Sequence, residues 1–361
     1  MATVLEVGLA GRAYPIYIGD EGVGGVRDAV HGLRERNRPV ALLVDAEVAR
    51  WHREAFDGAF DKIPTCTLPG GETTKSLEAL GRVYDFLAGA GMDRTGTLFV
   101  AGGGVIGDLG GFAAATYLRG IDFFQIPTTL LAMVDSSVGG KTGVNISAGK
   151  NLVGSFHQPR AVHISTDFLK SLPAREFNAG MAEVIKYGLL ADAELFDRLR
   201  RSPWSAESPG LPEVIHRCCQ IKAEIVADDE REQAASGGRA LLNLGHTFAH
   251  AVEQTAGYGE YLHGEAVGLG LVMAADYSRQ EGALSDDDVD AVRQMVAHTN
   301  LPVRLRSPLP IDALLAAMKR DKKVRAGRLR LVTLVKIGRA VTTEGADEPR
   351  LRALWQQYGA H

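Results

Sequence analysis

The stretch Thr97-Leu-Phe-Val-Ala101-Gly102-Gly-Gly104-Val-Ile-Gly107-Asp108 joins a short apolar run to a glycine-rich turn. A strand, a glycine turn and a helix start in that order let backbone N–H groups approach a pyrophosphate, which the helix dipole then favours. The spacing Gly102-x-Gly104-x-x-Gly107 matches the dinucleotide-binding pattern. Glycines that serve only a tight turn explain the same residues, so the stretch alone predicts a strand–turn–helix unit and leaves its ligand open.

The sequence around this stretch alternates short apolar runs with helical patterns up to about residue 172. Leu77, Leu80, Val83 and Leu87 recur at the spacing of one helix face within Ser76–Gly89. The apolar runs predicted as strands are Val40–Val44, Thr97–Ala101, Phe123–Pro127 and Val162–Ser165. This alternation predicts an α/β domain over residues 1–172 with a Rossmann-like parallel sheet, and ligands at the carboxyl ends of its strands. Residues 1–7 alternate like an edge strand.

The pattern changes from Pro173 onward, where long helical periodicities predict a mainly α-helical domain over residues 173–361. A short β-hairpin is predicted at Arg328–Ile337, closed by Gly338. The predicted helices are Phe177–Leu190, Leu211–Ala227, Ala240–Ala256, Glu265–Glu281, Asp286–Thr299 and Ile311–Lys319.

Length and composition fit two domains of a globular protein. The chain has 361 residues, 45% of them hydrophobic, with a net charge of −4. That charge argues against a general nucleic-acid binder, and no apolar run reaches the roughly 20 residues of a membrane span. The first residues lack a signal-peptide pattern, and Cys66, Cys218 and Cys219 form neither a disulfide framework nor a zinc knuckle. We therefore expect a cytoplasmic protein that binds neither nucleic acid nor membrane.

Two more loops follow predicted strands and suggest ligand contacts. In Pro69-Gly-Gly-Glu72-Thr-Thr-Lys75, a carboxylate and an ammonium group precede a helix; a helix cap with a solvated ion pair explains them equally well. Thr128 and Thr129 place two hydroxyls after another strand. For the ribose of a dinucleotide, Asp45 at a strand end is a better partner than Asp122, which precedes its strand. Together the three loops favour a dinucleotide site.

A metal site is indicated in the helical half. His246 and His250 stand at i and i+4 on one predicted helix face, His263 follows 13 residues later, and Glu183 lies upstream. Two imidazoles and a carboxylate with an open position suit a divalent Lewis acid such as Zn²⁺. Histidines with only a core or surface role remain an alternative. Because no glutamate follows the first histidine directly, the pattern differs from that of zinc proteases.

Cationic side chains gather near these motifs, and they suit a ligand that carries phosphate and carboxylate groups. Each one alone is more often a solvated charge, so the interpretation requires them to converge. They are Lys141, Lys150, Lys186, Lys222, Arg239, Lys322 and Lys323.

These motifs together resemble the 3-dehydroquinate synthase family of the shikimate pathway, within the sugar-phosphate cyclases, and the likeness runs nearly end to end. The stretches that carry it are Gly102–Phe112, Pro127–Asn151, Arg239–Glu253, Leu262–Val267 and Met318–Lys323.

The resemblance implies a role for each matching residue. It makes Glu183, His246 and His263 the ligands of one divalent metal, zinc or cobalt, and His250 an acid–base residue. The NAD contacts it implies are Asp45, Gly70, Gly71, Glu72, Thr73, Thr74, Lys75, Gly104, Val105, Ile106, Gly107, Asp108, Thr128, Thr129, Lys141, Lys150, Phe168, Leu169, Lys170 and Ser171. The substrate and catalytic positions it implies are Asp135, Lys141, Asn151, Lys186, Lys222, Arg239, Asn243, His250, Lys322 or Lys323, and Arg119 from a neighbouring subunit.

The family's chemistry is also an expectation at this point. It converts 3-deoxy-D-arabino-heptulosonate 7-phosphate into 3-dehydroquinate and phosphate through transient oxidation, elimination, re-reduction and an intramolecular aldol closure, which makes it a lyase that uses NAD catalytically. A homodimer is implied. The alternatives are another sugar-phosphate cyclase, a metal-dependent polyol dehydrogenase, which usually has an aspartate where Glu183 stands, and a silent NAD-binding regulator, which is expected to have lost site residues.

Overall fold

The computed structural model describes residues 3–19, 22–234, 236–257, 259–320, 324–325 and 328–361. The chain forms two compact units, the first made of Met1–Pro173 and Ala206–Arg231, the second of Ala174–Ser205 and Glu232–His361. The long segment of the first unit ends at Pro173, and the sequence predicts a domain over residues 1–172. The first unit also includes residues 206–231, which the sequence analysis assigned to the helical domain.

Strands and helices alternate through most of the first unit, whereas helices predominate in the second. The strands are β1 (Thr3–Val7), β2 (Tyr14–Ile18), β3 (Val40–Asp45), β4 (Thr65–Leu68), β5 (Thr97–Gly102), β6 (Asp122–Pro127), β7 (Lys141–Ile146), β8 (Gly149–Phe156), β9 (Val162–Ile164), β10 (Val324–Arg325), β11 (Arg328–Lys336) and β12 (Arg339–Glu344). The helices are α1 (Gly22–Glu35), α2 (Ala46–Trp51), α3 (Arg53–Ala59), α4 (Leu77–Gly89), α5 (Gly104–Thr116), α6 (Ala174–Ala191), α7 (Ala193–Arg200), α8 (Leu211–Asp228), α9 (His246–Ala256), α10 (His263–Gln280), α11 (Asp286–His298), α12 (Ile311–Arg320) and α13 (Glu348–Gln357).

The first unit is built on a sheet in which the described strands run in the order β1-β2-β9-β6-β5-β3-β4. Only the β1–β2 pair is antiparallel, and the other neighbours are parallel. Every residue of β5 is buried, as expected of a strand covered on both faces. Gly102 at the end of β5 pairs with Pro127 at the end of β6, so the glycine turn and Thr128 leave the same edge of the sheet. The Rossmann-like prediction is confirmed.

Two glycines of α5 allow that helix to lie close against its neighbours. A Cβ at Gly110 would stand 2.6 Å from a methyl of Val100 on β5, and one at Gly111 would stand 2.5 Å from the methyl of Thr142 on β7. Larger residues would force the helix off the sheet. The close approach therefore holds the start of α5, and with it the glycine turn, in register with the strand ends.

Helix α8 belongs to the first unit because its apolar face packs there, against β1, β2 and the helical turn Ala132–Ser136. Val214, Ile215 and Cys218 are fully buried on that face. Helical periodicity shows that a face is buried but cannot show which element covers it. For that reason the sequence misplaced this helix.

The second unit is mainly helical, with α10 at its centre: residues 264–278 of this helix are all buried. A sheet in the order β10-β11-β12 packs beside it. The predicted hairpin is wrong in extent, since Arg328–Lys336 is one strand and its partner is Arg339–Glu344. Gly338, at φ +83°, lies in the turn as predicted.

The predicted continuous helix Ala240–Ala256 is also wrong. Gly238–Asn243 forms a 3₁₀ turn, Gly245 adopts a left-handed φ of 78°, and α9 begins only at His246. Sequence reasoning also missed the antiparallel hairpin of β7 and β8, in which Lys141 pairs with Phe156. None of the described helices is long and apolar enough to cross a membrane.

Candidate metal and dinucleotide sites

Three of the predicted metal ligands meet in the second unit. Oε1 of Glu183 lies 3.5 Å from Nε2 of His246 and 3.5 Å from Nε2 of His263. The three ligand atoms all lie within 4.8 Å of one another, and Glu183 is fully buried. Nε2 of each imidazole thus faces the same carboxylate oxygen. One carboxylate and two imidazoles form a donor set typical of Zn²⁺ or Co²⁺.

Glycines set the distances between the helices that carry these ligands. A Cβ at Gly264, the residue after His263, would stand 1.9 Å from the carbonyl oxygen of Ala179, one turn before Glu183. A Cβ at Gly270 would stand 2.1 Å from the carbonyl oxygen of Gly245, the residue before His246. Only glycine fits at either position. Helix α10 can therefore approach both the helix of Glu183 and the turn that starts α9.

The start of α10 is fixed by charge as well as by close packing. Glu265, which is buried, accepts hydrogen bonds from the Leu262 backbone N–H at 2.8 Å and from two nitrogens of Arg175 at 2.8 Å each, and pairs with Arg306 at 2.6 Å. Burial raises the pKa of Glu265, but the hydrogen bonds from Arg175 and Arg306 outweigh it and lower that pKa to about 2. The ionised carboxylate anchors the segment that carries His263.

Both imidazoles are oriented through Nδ1. Nδ1 of His246 lies 3.1 Å from the carbonyl oxygen of Leu244, and Nδ1 of His263 lies 3.2 Å from Oε2 of Glu253. Burial lowers the pKa of His246 well below its ordinary value. Burial also lowers that of His263, but hydrogen bonds with Glu183 and Glu253 reverse the effect and raise its pKa to about 10.

His250 lies beside this cluster without joining the same group of ligand atoms. Its ring centroid is 5.6 Å from that of His246 and 6.2 Å from that of His263, and the side chain is exposed. A second set of nearby donors consists of His250, Glu253 and His263. The position of His250 at the accessible rim suits the acid–base role implied by the family resemblance.

Two predicted substrate cations of the second unit are buried and lie near proposed metal ligands in the sequence. Lys186 is 1% exposed, and its Nζ lies 2.5 Å from Oε2 of Glu183. Arg239 is 2% exposed, within the 3₁₀ turn that precedes His246, and Asn243 ends that turn half-buried. Lys322 and Lys323 lie outside the described residues.

In the first unit, the glycine turn forms a cradle of backbone groups. Helix α5 begins at Gly104, and Gly103 in the capping position offers no side chain to its first N–H groups. A Cβ at Gly103 would stand 3.1 Å from the Thr129 methyl, and one at Gly104 would stand 3.1 Å from Oγ of Ser136. An uncapped helix start that no side chain fills is suited to an anionic group such as a pyrophosphate.

Thr128 supplies a buried polar atom beside this cradle. Its side chain is 3% exposed, and Oγ1 has no hydrogen-bond partner among the described residues. The Thr128 backbone N–H donates to the carbonyl oxygen of Gly102 at 3.0 Å. Thr129 is already engaged, since its Oγ1 accepts from the Ala132 N–H at 3.1 Å. A buried hydroxyl without a partner is unfavourable, and this one lies at the strand end beside the uncapped helix start, so Thr128 is a candidate for contact with a ligand there.

The loop of residues 69–75 is tied to this cradle by ion pairs and hydrogen bonds. Nζ of Lys75 lies 2.5 Å from Oδ2 of Asp108 in α5. Burial raises the pKa of Asp108, and the nearby Lys75 ammonium group opposes that rise. Glu72 accepts a hydrogen bond from Nδ2 of Asn145 at 2.7 Å, and Nζ of Lys150 lies 3.9 Å away from it. Both charged side chains, for which the sequence left a solvated helix cap and a ligand role open, thus contact residues far along the chain.

Asp45 has a structural role in addition to any ligand role. Its Oδ1 accepts from the N–H of Glu47 at 2.8 Å and caps α2, while Oδ2 would stand 2.7 Å from a Cβ at Gly70. Gly70 therefore keeps the second carboxylate oxygen accessible. Asp122, the rejected alternative, is engaged in ion pairs with Arg38 and Arg160.

Several other predicted positions of the first unit are buried. The side chains of Phe168 and Leu169 are buried, and in the same turn Nε2 of His52 lies 2.6 Å from Oγ of Ser171. Lys222 is buried on α8, where its Nζ lies 2.7 Å from Oδ1 of Asp135.

Three further predicted residues are exposed, Lys141, Asn151 and Arg119. Asn151 has a φ of 55° and Arg119 a φ of 72°, both in the left-handed region. The Asn151 N–H donates to Oδ1 of Asn145 at 2.9 Å. Sequence reasoning missed Asn145 and Glu253, because a single amide or carboxylate within a strand or helix carries no spacing pattern that distinguishes it.

The family comparison matches both units. The model described as 3-dehydroquinate synthase N-terminal matches residues 65–179, and the one described as 3-dehydroquinate synthase C-terminal matches residues 180–324. The chain belongs to the 3-dehydroquinate synthase family. The first match includes the glycine turn and the loops around it, and the second includes Glu183, His246 and His263.

Individual members of the 3-dehydroquinate synthase family are similar along the whole chain. The chain is 56% identical to the 3-dehydroquinate synthase of Opitutus terrae, with 100% of each chain covered. It is 44% identical to that of Acinetobacter baylyi, covering 97% of this chain and 96% of the relative. A solved structure of 2-epi-5-epi-valiolone synthase from Streptomyces hygroscopicus, with NAD⁺ and Zn²⁺ bound, superposes with a TM-score of 0.81 at 29% identity, covering 89% of this chain and 90% of that one.

Proposed function

We propose that this chain is a 3-dehydroquinate synthase that converts 3-deoxy-D-arabino-heptulosonate 7-phosphate into 3-dehydroquinate and inorganic phosphate. The observation that carries the proposal is the cluster of Glu183, His246 and His263 in a chain that matches synthases of this name from end to end. The reaction has no net redox change, so it is a carbon–oxygen lyase reaction in which NAD is regenerated at every turnover.

The metal fits the residues of the second unit. Glu183, His246 and His263 would hold a divalent ion, Zn²⁺ or Co²⁺, since their donor atoms converge and both imidazoles present Nε2 to the same side. When bound, the ion acts as a Lewis acid on a substrate oxygen. The ammonium group of Lys186 pairs with Oε2, the other oxygen of the buried carboxylate, and offsets its charge.

NAD fits the first unit. The uncapped start of α5 would take the pyrophosphate, the Thr128 hydroxyl would gain its missing partner, and Asp45 would meet the ribose through the oxygen that Gly70 leaves accessible. When bound, NAD would supply reversible hydride-transfer chemistry to the substrate. The further contacts proposed for it are Gly71, Glu72, Thr73, Thr74, Lys75, Val105, Ile106, Gly107, Asp108, Thr129, Lys141, Lys150 and the turn Phe168–Ser171.

The chain's own cations and polar groups complete the proposal. Elimination of phosphate and the later ring closure need a fixed substrate and positive charge beside the groups that become anionic. Arg239 suits the substrate carboxylate, because a guanidinium binds a carboxylate with two parallel hydrogen bonds. His250 at the accessible rim is the residue we assign to moving a proton. The remaining substrate contacts proposed are Asp135, Lys141, Asn151, Lys186, Lys222, Asn243 and Lys322.

A homodimer in the cytoplasm is part of the same proposal. The exposed Arg119 and its left-handed backbone conformation suit a residue that is directed toward a neighbouring subunit. If Arg119 acts on the partner's substrate, mixing Arg119→Ala subunits with Glu183→Gln subunits restores part of the activity. An Arg119→Ala variant with full activity would remove this residue from the site.

The direct test supplies the heptulosonate phosphate, NAD⁺ and either Zn²⁺ or Co²⁺ to the metal-free protein. We expect phosphate and dehydroquinate to appear in equal amounts, with no lasting accumulation of NADH. A metal-dependent polyol dehydrogenase would instead accumulate NADH with glycerol-like polyols and release no phosphate. Another sugar-phosphate cyclase would turn over a sugar phosphate that has no carboxylate group for Arg239 to bind.

A further inference from the structure

Glu253 contacts His263, one of the three proposed metal ligands, and is not itself one of the three. It lies on α9 two turns after His246, its side chain is buried, and its Oε2 is 3.2 Å from Nδ1 of His263. The other nitrogen of the same ring, Nε2, lies 3.5 Å from Oε1 of Glu183. The His263 imidazole is thus held between two carboxylates, one facing each nitrogen.

An imidazole can give a lone pair to a cation from Nε2 only when its proton sits on Nδ1. A carboxylate acceptor at Nδ1 selects that tautomer, fixes the ring plane and raises the basicity of the other nitrogen. His246 obtains the same orientation from the neutral carbonyl of Leu244, at 3.1 Å. Glu253 is therefore the charged partner in the pair of contacts that orient the two imidazoles.

Helix register explains why Glu253 reaches His263. His246 and Glu253 are seven residues apart, so both side chains lie on the same face of α9. Gly264 lets the start of α10 approach α6, which places His263 between Glu183 and that face. The contact depends on three helices and not on any local sequence pattern.

We propose that Glu253 is a positioning residue that keeps Nε2 of His263 directed at Glu183 and thereby sets the affinity of the site for a divalent cation. The inference rests on the proposed metal site, and it concerns binding of the ion alone, before substrate or NAD is added.

One competing arrangement uses the same residues. His250, Glu253 and His263 also offer donor atoms that lie within 4.8 Å of one another, so Glu253 could itself bind a second cation. The geometry favours positioning, because the Nδ1 atom of His263 that Glu253 faces is occupied by a proton when Nε2 binds the ion. The stoichiometry of binding separates the two arrangements.

The experiment titrates the metal-free full-length protein with Co²⁺ and follows the visible absorption of the bound ion. Glu253→Gln keeps the shape of the side chain and a hydrogen-bond acceptor but removes the charge. Glu253→Leu removes both the charge and the hydrogen-bond acceptor. Loss of such a partner typically weakens metal binding by about 10- to 100-fold. We expect Glu253→Gln near the lower figure and Glu253→Leu near the higher one, with one Co²⁺ per chain throughout.

Asp276→Asn is the matched control, since Asp276 is a buried carboxylate on α10 that contacts Arg279 and Tyr358 and no metal ligand among the described residues. It should lower the melting temperature and leave Co²⁺ affinity unchanged.

Nitrogen-15 spectra of the Zn²⁺-loaded wild type should show the His263 proton on Nδ1, and Glu253→Leu should disturb that signal. The inference would be overturned if both Glu253 variants bound Co²⁺ with wild-type affinity. It would also be overturned if the wild type bound two Co²⁺ ions per chain and the variants bound only one. Failure of the wild type to turn over the heptulosonate phosphate would count against the proposed function alone.

Discussion

Nζ of Lys186 lies 2.5 Å from Oε2 of Glu183, with both side chains buried one turn apart on α6. The other oxygen of the same carboxylate faces the two imidazoles. One oxygen of Glu183 therefore pairs with a buried ammonium group, and the other faces the place proposed for the metal ion. A buried charge is tolerated only when it is paired, so each partner depends on the other.

Replacing Glu183 with Gln should abolish metal binding and destabilise the second unit. The amide leaves the Lys186 ammonium group buried without its partner, and breaking such a pair costs about 3–5 kcal/mol. In the wild type, Co²⁺ at 100 times its Kd should add about 2.7 kcal/mol to the free energy of unfolding. Thermal melts with and without Co²⁺ measure both effects. A variant that melts like the wild type and still gains stability from Co²⁺ would remove Glu183 from the ligands.

Gly264→Ala should separate α10 from α6. The added Cβ would stand 1.9 Å from the carbonyl oxygen of Ala179, so the helices must move apart and His263 with them. Overpacking of this kind typically costs about 1–3 kcal/mol. We expect a lower melting temperature together with a loss of Co²⁺ affinity.

Gly81→Ala is the control for that substitution. Gly81 lies within α4, where an added Cβ meets nothing within 4 Å. Alanine in a helix is favoured over glycine by about 0.5–1 kcal/mol, so this variant should be slightly more stable than the wild type with normal Co²⁺ binding. If both variants bind Co²⁺ equally well, the close helix contact does not set the metal site.

Thr128→Val should weaken NAD binding without destabilising the protein. Valine keeps the shape of threonine, and the hydroxyl it removes is buried without a partner among the described residues. The loss of one hydrogen bond to the cofactor, about 1 kcal/mol, should raise the Kd for NAD about fivefold. The free energy of unfolding without NAD should stay equal or rise, because an unsatisfied polar group disappears.

Thr97→Val provides the comparison, since Thr97 also has a buried hydroxyl without a described partner. It lies at the first residue of β5, at the opposite end of the strand from the glycine turn. Calorimetric titration with NAD should therefore give the wild-type Kd. Equal effects of the two substitutions would indicate that Thr128 does not contact NAD.

His163 should make the stability of the protein fall in mild acid. Its ring is buried against Tyr17 and Phe124, neither nitrogen has a partner among the described residues, and burial lowers its pKa to about 4. Because the folded pKa lies below the ordinary value of 6.5, the stabilisation by neutral His163 is complete above pH 6.5 and is lost as the pH falls toward 4. The loss should reach about 3 kcal/mol.

His163→Phe isolates this contribution. Phenylalanine keeps the stacked ring and cannot be protonated, so urea unfolding between pH 7 and pH 4.5 should show a weaker pH dependence than in the wild type. At pH 7 the two proteins should differ little, because the replaced ring makes no hydrogen bond to the described residues. An unchanged slope would mean that other groups cause the acid sensitivity.

Local patterns along the chain were enough to predict the parallel sheet and the glycine turn at its edge. The set of Glu183, His246 and His263 came from the family resemblance, because spacing alone left the role of the histidines open. β3, β5 and β6 begin and end within about one residue of the predicted bounds, because β-strands buried on both faces are written as continuous apolar runs. Apolar runs and glycine patterns are recognised from residues close together in the sequence. They require no knowledge of what packs against them.

Which distant groups meet could be learned only from the packed chain. Asn145 fixes both Glu72 and Asn151, Glu253 faces His263, and α8 packs on the first unit although the sequence placed it in the second domain. These contacts depend on how closely helices and strands approach, and that distance is set by single glycines whose importance appears only when the opposing backbone is known. Spacing along the chain specifies the face on which a residue lies, while packing specifies its partner.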